Sequence, residues 1–391
     1  MTRTLQPQHP LATAGAEALR QGDAPQARRF FDQLVGARPD DASAWFGLAV
    51  ACRGVADVAA QLHALDQVLA ADPGHLPALL MKADHFDAAG DARAAAAYYR
   101  AVVARAPDLE RLPLDLRAEV NRAKAKCTLF SQQFEAHLRR ELTKAGFDPD
   151  TGSGRFGESL ELLLGRKEVY LQAPTAYYFP GLPQRQFYER EEFPWLAALE
   201  AKTELIRDEL LAIASDDRAF EPYVRSNSNR PPNDFAGLLD NLDWSAFYLI
   251  KDGAEVAENA ARCPATMAAM RAAPLAAIPG QTPAVLFSLL RPGARIPPHT
   301  GMFNTRLICH LPLIVPEGCG FRVGNAVRPW VEGQCLIFDD SIEHEAWNNS
   351  DQLRAVLLFE IWRPELTTDE RERIAALLAT VGSLRKGPLT A

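Results

Sequence analysis

Apolar positions over the first hundred residues recur at helical spacing and are interrupted at regular points. The stretches FFDQLVGARP, HALDQVLAADP and YYRAVVARAP each end in a proline, and Pro39, Pro73 and Pro107 stand 34 residues apart. Ala27 and Phe31 return as Ala95 and Tyr99, 68 residues on, and Gly22-Asp23 returns as Gly90-Asp91. This pattern predicts three units of paired helices. The Gly-Asp step breaks the pair within the first and third units, small residues let the helices approach, and the proline ends the second helix of each pair. Trp45, Leu48 and Cys52 give the middle unit an apolar stripe. Residues 114–146 predict one or two further helices capping these units, and the Gly-, Asp- and Ser-rich segment 147–159 predicts a linker. Helical spacing continues over 193–214, and SNSNRPPND, 226–234, predicts an exposed loop.

From about residue 284 the period changes. AVLFSLLRPG, TRLICHLPLIVP, GFRVGNAVRPW, GQCLIFDDS and LRAVLLFEIW are short, apolar and rich in β-favouring residues. Turn signals separate them at Pro292-Gly293, Glu317-Gly318, Gly324-Asn325 and Glu332-Gly333. Closely spaced strands without intervening helices predict a sandwich or barrel of the jelly-roll kind. The expected chain is therefore a multidomain α + β protein, an α-solenoid followed by a β-barrel with flanking helices. Its segments are 1–110 (repeats), 111–160 (helical cap and linker) and 161–391 (barrel domain).

Over about residues 8–107 the repeat pattern resembles the tetratricopeptide repeat, whose stacked units form a curved surface that commonly binds peptides or other proteins. Composition is that of a globular protein, 48% hydrophobic and 24% charged over 391 residues, so a sizeable core can form. A formal charge of −8 argues against a nucleic-acid partner, which needs a basic face. No apolar run reads as a signal peptide or a membrane span. The six cysteines are scattered without a CxxC pair, so neither a disulfide framework nor a zinc site is expected. Together these features predict a cytoplasmic protein with reduced thiols.

Candidate chemistry lies in the β region. His299 follows a double proline in RIPPHTGMFN, and His344 follows the strand LIFDD in FDDSIEHEAWN. Two imidazoles on neighbouring barrel strands suit Fe(II) that must also accept a bidentate co-substrate and O2. Arg354 alternates onto one strand face with Val356, Leu358 and Glu360. A cation buried there needs an anion. A bound dicarboxylate would supply one, in a bidentate geometry that lysine cannot match. Blander readings stand beside these: a strand histidine is commonly a core or surface residue, and Arg354 could pair with Glu360. Asp339 and Asp340 read as turn residues ahead of His344, or as groups that orient an imidazole.

The strings that carry these residues resemble a known family. FSLLRPGARIPPHTGMFNTRLICHLPL, PEGC, EGQCLIFDDSIEHEAWNNS and LRAVLLFEIWRPELT are similar, in order, to the catalytic domain of the aspartyl/asparaginyl β-hydroxylases. FPGLPQRQFYE, KTELIRDELLAI, DWSAFYL and ENAARCP extend the likeness over roughly residues 165–375. The resemblance implies a double-stranded β-helix oxygenase that uses Fe(II), 2-oxoglutarate and O2 and releases succinate and CO2. It implies His299 and His344 as iron ligands, and Arg354 with Ser288 for the far carboxylate of 2-oxoglutarate. His310 is implied near the co-substrate's other end, Trp244 at the pocket and Arg306 toward the substrate. The family shares the glycine at 301, where other oxygenases of this fold carry a ligating carboxylate. Two departures stand out: Ile308 and Leu286 occupy positions where the family carries basic residues. The implied target is the β-carbon of Asp or Asn in a peptide or protein, which the repeats would help present. Other readings are a free amino acid or lipid acyl substrate, a peptide-binding scaffold with an inactive barrel, and a cupin-type barrel that does not use 2-oxoglutarate.

Overall fold

In the computed structural model the described residues are 9–106, 109–147, 154–216, 218–226 and 235–384. Pro107, residues 148–153 of the expected linker and the loop after Ser226 lie outside them. The chain divides into two compact units, 1–164 and 165–391.

The first unit is helical. α1 (Pro10–Arg20), α2 (Ala24–Ala37), α3 (Ala42–Gly54), α4 (Val58–Ala71), α5 (Leu76–Ala88) and α6 (Ala92–Arg105) form three pairs. Asp23, Asp57 and Asp91 cap the second helix of each pair by accepting a backbone N–H with the side chain. The residue before each cap has positive φ: Gly22 at 79°, Ala56 at 57° and Gly90 at 76°. Glycine suits two of these turns, whereas the middle unit makes the same turn with alanine. Close helix approach needs the small residues. A Cβ at Gly47 would lie 2.3 Å from the Phe31 ring, and one at Gly15 2.8 Å from it. α7 (Leu114–Lys144) is one continuous helix, which buries Val120 and Ala123. α8 (Gly154–Leu163) corrects the linker reading, because Phe156, Leu160 and Leu163 give this Gly- and Ser-containing stretch a helical spacing.

The second unit is built on two antiparallel sheets. Its strands are β1 (Phe187–Tyr188), β2 (Glu221–Pro222), β3 (Trp244–Lys251), β4 (Ala254–Glu255), β5 (Val285–Leu290), β6 (Arg295–His299), β7 (Arg306–Ile314), β8 (Cys319–Val323), β9 (Ala326–Arg328), β10 (Leu336–Phe338), β11 (His344–Asn348) and β12 (Arg354–Trp362). One sheet runs β1-β10-β7-β12-β5-β3-β2, with β4 on β3, and the other runs β6-β11-β8-β9. This is the jelly-roll arrangement that the strand pattern predicts, with β6 and β11 added. The consecutive prolines of β6 fit its place at a sheet edge, where a missing N–H costs no ladder bond.

Alternation divides the long strands between two cores. Val285, Phe287 and Leu289 of β5, and Leu357, Phe359 and Ile361 of β12, pack outward against α10 (Thr203–Ala214) and α12 (Pro264–Arg271), beside α9 (Leu196–Glu200) and α11 (Ala257–Ala261). Leu286, Leu290, Ile308, Leu358, Phe321 and Phe338 form the core between the sheets. At roughly 25 cal/mol per Å² of buried apolar surface these two layers supply most of the unit's stability. α13 (Thr368–Leu384) packs Ile374 and Leu378 against Phe303 and Ile278. No helix among the described residues is long and apolar enough to cross a membrane.

Candidate active site

His299 closes β6 and His344 opens β11, and the two residues are register partners. Their ring centroids lie 4.1 Å apart at an interplanar angle of 51°. Each Nδ1 sits against the carbonyl two residues earlier, Pro297 O at 2.8 Å and Ile342 O at 3.0 Å. A carbonyl oxygen only accepts, so Nδ1 carries the proton and the lone pair resides on Nε2. Burial pushes both imidazoles down, His344 to about 3, so both rings are neutral near pH 7. A neutral, fixed imidazole is the form that ligates a metal.

Gly301 has a steric reason. An added Cβ would fall 1.9 Å from Asp340 Oδ2 and 2.3 Å from its Cγ, so no side chain fits unless Asp340 moves. Among the described residues no group of three or more His, Cys, Asp or Glu is placed to hold a metal. A metal here would have two protein ligands, His299 and His344.

Arg354 is 1% exposed at the start of β12. Its guanidinium lies 4.9 Å from the Trp330 ring centroid, and Nη1 donates to Ser288 O at 3.4 Å. Nε is buried without a hydrogen-bond partner, and no carboxylate pairs with this cation among the described residues. Burial pulls it down to about 10, which leaves it charged at neutral pH. The alternative partner Glu360 is engaged elsewhere: Arg306 Nε lies 3.3 Å from Glu360 Oε1, and Arg306 Nη1 donates to Asp340 Oδ2 at 3.0 Å.

The surrounding groups form a polar chain in an apolar wall. Trp244 Nε1 donates to Ser288 Oγ at 3.2 Å, and Tyr223 stacks on Trp244 at 3.9 Å. Trp330 Nε1 donates to His310 Nδ1 at 3.2 Å, which fixes His310 as a neutral acceptor at that nitrogen. Burial pushes the His310 imidazole well down. The same desolvation pushes Asp340 up to about 7 and raises Glu360. Trp244, Ser288, His299, Arg306, His310, His344 and Arg354 all line one cavity of about 590 Å³.

Sequence reasoning did not single out Tyr223 or Trp330, which no local pattern marks. It read Asp339 and Asp340 as turn residues or as groups that orient an imidazole. Asp339 does shape the turn, accepting from Ser341 N at 3.0 Å and Ser341 Oγ at 2.6 Å, and it also pairs with the fully buried Arg363 at 2.7 Å. The imidazoles take their orientation from backbone carbonyls. Arg291 and Arg295 are exposed and absent from the cavity lining.

Comparison with known proteins follows this geometry. Residues 200–364 match the family model Aspartyl/Asparaginyl beta-hydroxylase, and residues 13–75 match the Tetratricopeptide repeat. The human aspartyl/asparaginyl beta-hydroxylase is 33% identical over 255 residues, covering 59% of this chain and 32% of that protein. An ornithine lipid ester-linked acyl 2-hydroxylase of Rhizobium tropici is 36% identical over 180 residues, covering 45% of this chain and 60% of that protein. Human aspartate beta-hydroxylase domain-containing protein 2 is 28% identical, covering 54% of this chain and 56% of that protein. The chain thus spans between a third and three fifths of the length of these relatives. The chain is thus similar to the aspartyl/asparaginyl β-hydroxylases over residues 200–364 and to tetratricopeptide repeats over residues 13–75.

Proposed function

We propose that the second unit is an Fe(II)- and 2-oxoglutarate-dependent dioxygenase that hydroxylates an unactivated carbon of a peptide or protein. The observation that carries this reading is a pair of neutral, carbonyl-oriented histidines sharing one cavity with a buried arginine that has no carboxylate partner. The donor set fits the absent groups. Two imidazoles leave coordination positions for a chelating co-substrate and O2. The orphaned guanidinium is matched in charge and shape to a carboxylate.

His299 and His344 would hold the iron, which when bound supplies the O2 activation that no side chain here can perform. Arg354 would take the far carboxylate of 2-oxoglutarate, with the Ser288 hydroxyl beside it and the Trp330 ring under the guanidinium. Trp244 holds the Ser288 hydroxyl by its indole N–H. His310, a neutral acceptor fixed by Trp330, bounds the other end of the same space without adding charge. The apolar wall of Ile296, Phe321, Phe338 and Leu358 excludes water from the reacting centre. The balanced reaction is R–H + O2 + 2-oxoglutarate → R–OH + succinate + CO2.

The names of the relatives point to an Asp or Asn side chain, or to a lipid acyl chain, as the substrate. The tetratricopeptide repeats in this chain favour a peptide, because such repeats characteristically bind peptides. The test is succinate release coupled to an added oxygen in a peptide, with Fe(II), 2-oxoglutarate and O2 supplied. Succinate that does not depend on Fe(II), or that persists undiminished in His344→Ala, would overturn the reading.

A further inference from the structure

The cavity is lined by seven charged residues: Arg225, Lys251, Asp252, Arg306, Asp340, Arg354 and Glu360. Their pairing decides what charge a substrate meets. Arg306 is 6% exposed and is met by two carboxylates, Asp340 and Glu360, so its cation is already committed to acidic partners before any ligand arrives. Arg225 is exposed and Lys251 partly so, and both are bridged to Glu221. Asp252 adds a further negative charge. Arg354 is the one deeply buried cation among the described lining residues that has no acidic partner.

On the reading proposed above, 2-oxoglutarate takes Arg354. Among the described lining residues, nothing cationic and uncommitted then remains beside the histidines. The wall itself is apolar where a second cation could have stood. Leu286, opposite Leu358 and Tyr248 in register, is 0% exposed, and Ile308, opposite Phe338 and Glu360, is 6% exposed. Both pack in the core between the sheets with Phe321, Phe338 and Leu358. A carboxylate brought in here would be desolvated against aliphatic carbon and would face Asp340 and Glu360. An aliphatic chain meets neither penalty, and a carboxamide avoids the charge repulsion and the larger desolvation cost of an ion.

We infer that Ile308, which lines the cavity and packs in the same core as the fully buried Leu286, and the acid-paired Arg306 set the specificity of this site: the peptide side chain admitted beside His299 and His344 is uncharged, a carboxamide or aliphatic chain rather than a carboxylate. The inference rests on the oxygenase reading for the occupancy of Arg354. Its basis in this chain is the pairing of the remaining charges.

The test uses the full chain with Fe(II), 2-oxoglutarate and O2, and pooled peptides with randomised flanks around a fixed central Asp, Asn or Leu. An acyl-chain lipid in detergent forms a separate arm. Mass spectrometry reads the added oxygen, succinate is followed in parallel, and binding of each pool to the metal- and 2-oxoglutarate-loaded protein is measured without O2. The expected result is that the Asn or Leu pool is preferred over the Asp pool by at least about tenfold in both readouts. In Leu286→Lys/Ile308→Arg, checked for folding by urea melting, the preference moves toward Asp by a similar factor. Equal or stronger use of the Asp pool by the wild type, absence of discrimination between pools, or hydroxylation of the lipid alone would overturn the inference. Absence of succinate would instead sink the oxygenase reading, while the binding ranking would still judge this one.

Discussion

Arg354 shows how much one residue's surroundings constrain its use. A guanidinium at 1% exposure, stacked on Trp330 and joined to protein through a single carbonyl contact, keeps a large desolvation cost uncompensated. A dicarboxylate would offset it. Arg354→Ala should therefore weaken 2-oxoglutarate binding to the metal-loaded protein by roughly a hundredfold or more, the order expected for breaking a buried pair. Arg354→Lys should recover little, because an ammonium cannot reproduce the bidentate fork. Calorimetric titration checks both, and an affinity within about threefold of wild type in Arg354→Ala would reject the assigned role. His310 makes a pH prediction. Its folded pKa is depressed, so the folded state binds fewer protons than the unfolded chain and stability is lost as pH falls through the unfolded value near 6.5. Between pH 7.5 and 5.5 the stability advantage of the metal-free wild type over His310→Gln should shrink by about 1 kcal/mol. Urea unfolding at the two pH values measures it, and a pH-independent difference would show that His310 is not held neutral.

At the scale of elements, the repeat phase was legible because helix breaks depend on local residue types. Gly22 and Gly90 announce their turns, whereas Ala56 makes the same turn in silence, since alanine ordinarily avoids positive φ. Ala56→Gly should accordingly stabilise the helical unit by up to about 1 kcal/mol, read as a higher melting temperature. A lower one would mean that the Ala56 side chain contributes packing that outweighs its backbone strain. In the barrel, β5, β7 and β12 were legible from their apolar runs. β6 and β11 were not, because RIPPH carries two prolines and HEAWN is half polar, yet these two strands hold the histidines in register. The linker reading over 154–159 failed for the opposite reason: glycine and serine masked a helical spacing of apolar residues in α8. In the site, the histidines, Ser288 and Arg354 could be named in advance from motif strings. The commitment of Arg306 to Asp340 and Glu360 could not, because that triad joins β7, the turn after β10 and β12, and only the fold brings them together.

For the whole molecule, a repeat unit and a barrel unit share one chain of formal charge −8. The family model covers the barrel strands that carry the histidines and Arg354, and the repeat model covers most of the first two helix pairs. The division of labour follows from the chemistry each unit holds. The helical unit's described cores are apolar layers of alanine, leucine and aromatic residues. The barrel alone gathers neutral imidazoles and an unmatched buried cation in one cavity. On the oxygenase proposal these groups hold iron and 2-oxoglutarate for a hydroxylation. The most direct measurement is succinate formed by the full chain as Fe(II) is titrated in at saturating 2-oxoglutarate and O2, wild type beside His344→Ala. Succinate should saturate near one iron per chain and be abolished in the variant. Iron-independent succinate, or a variant that retains substantial turnover, would contradict it.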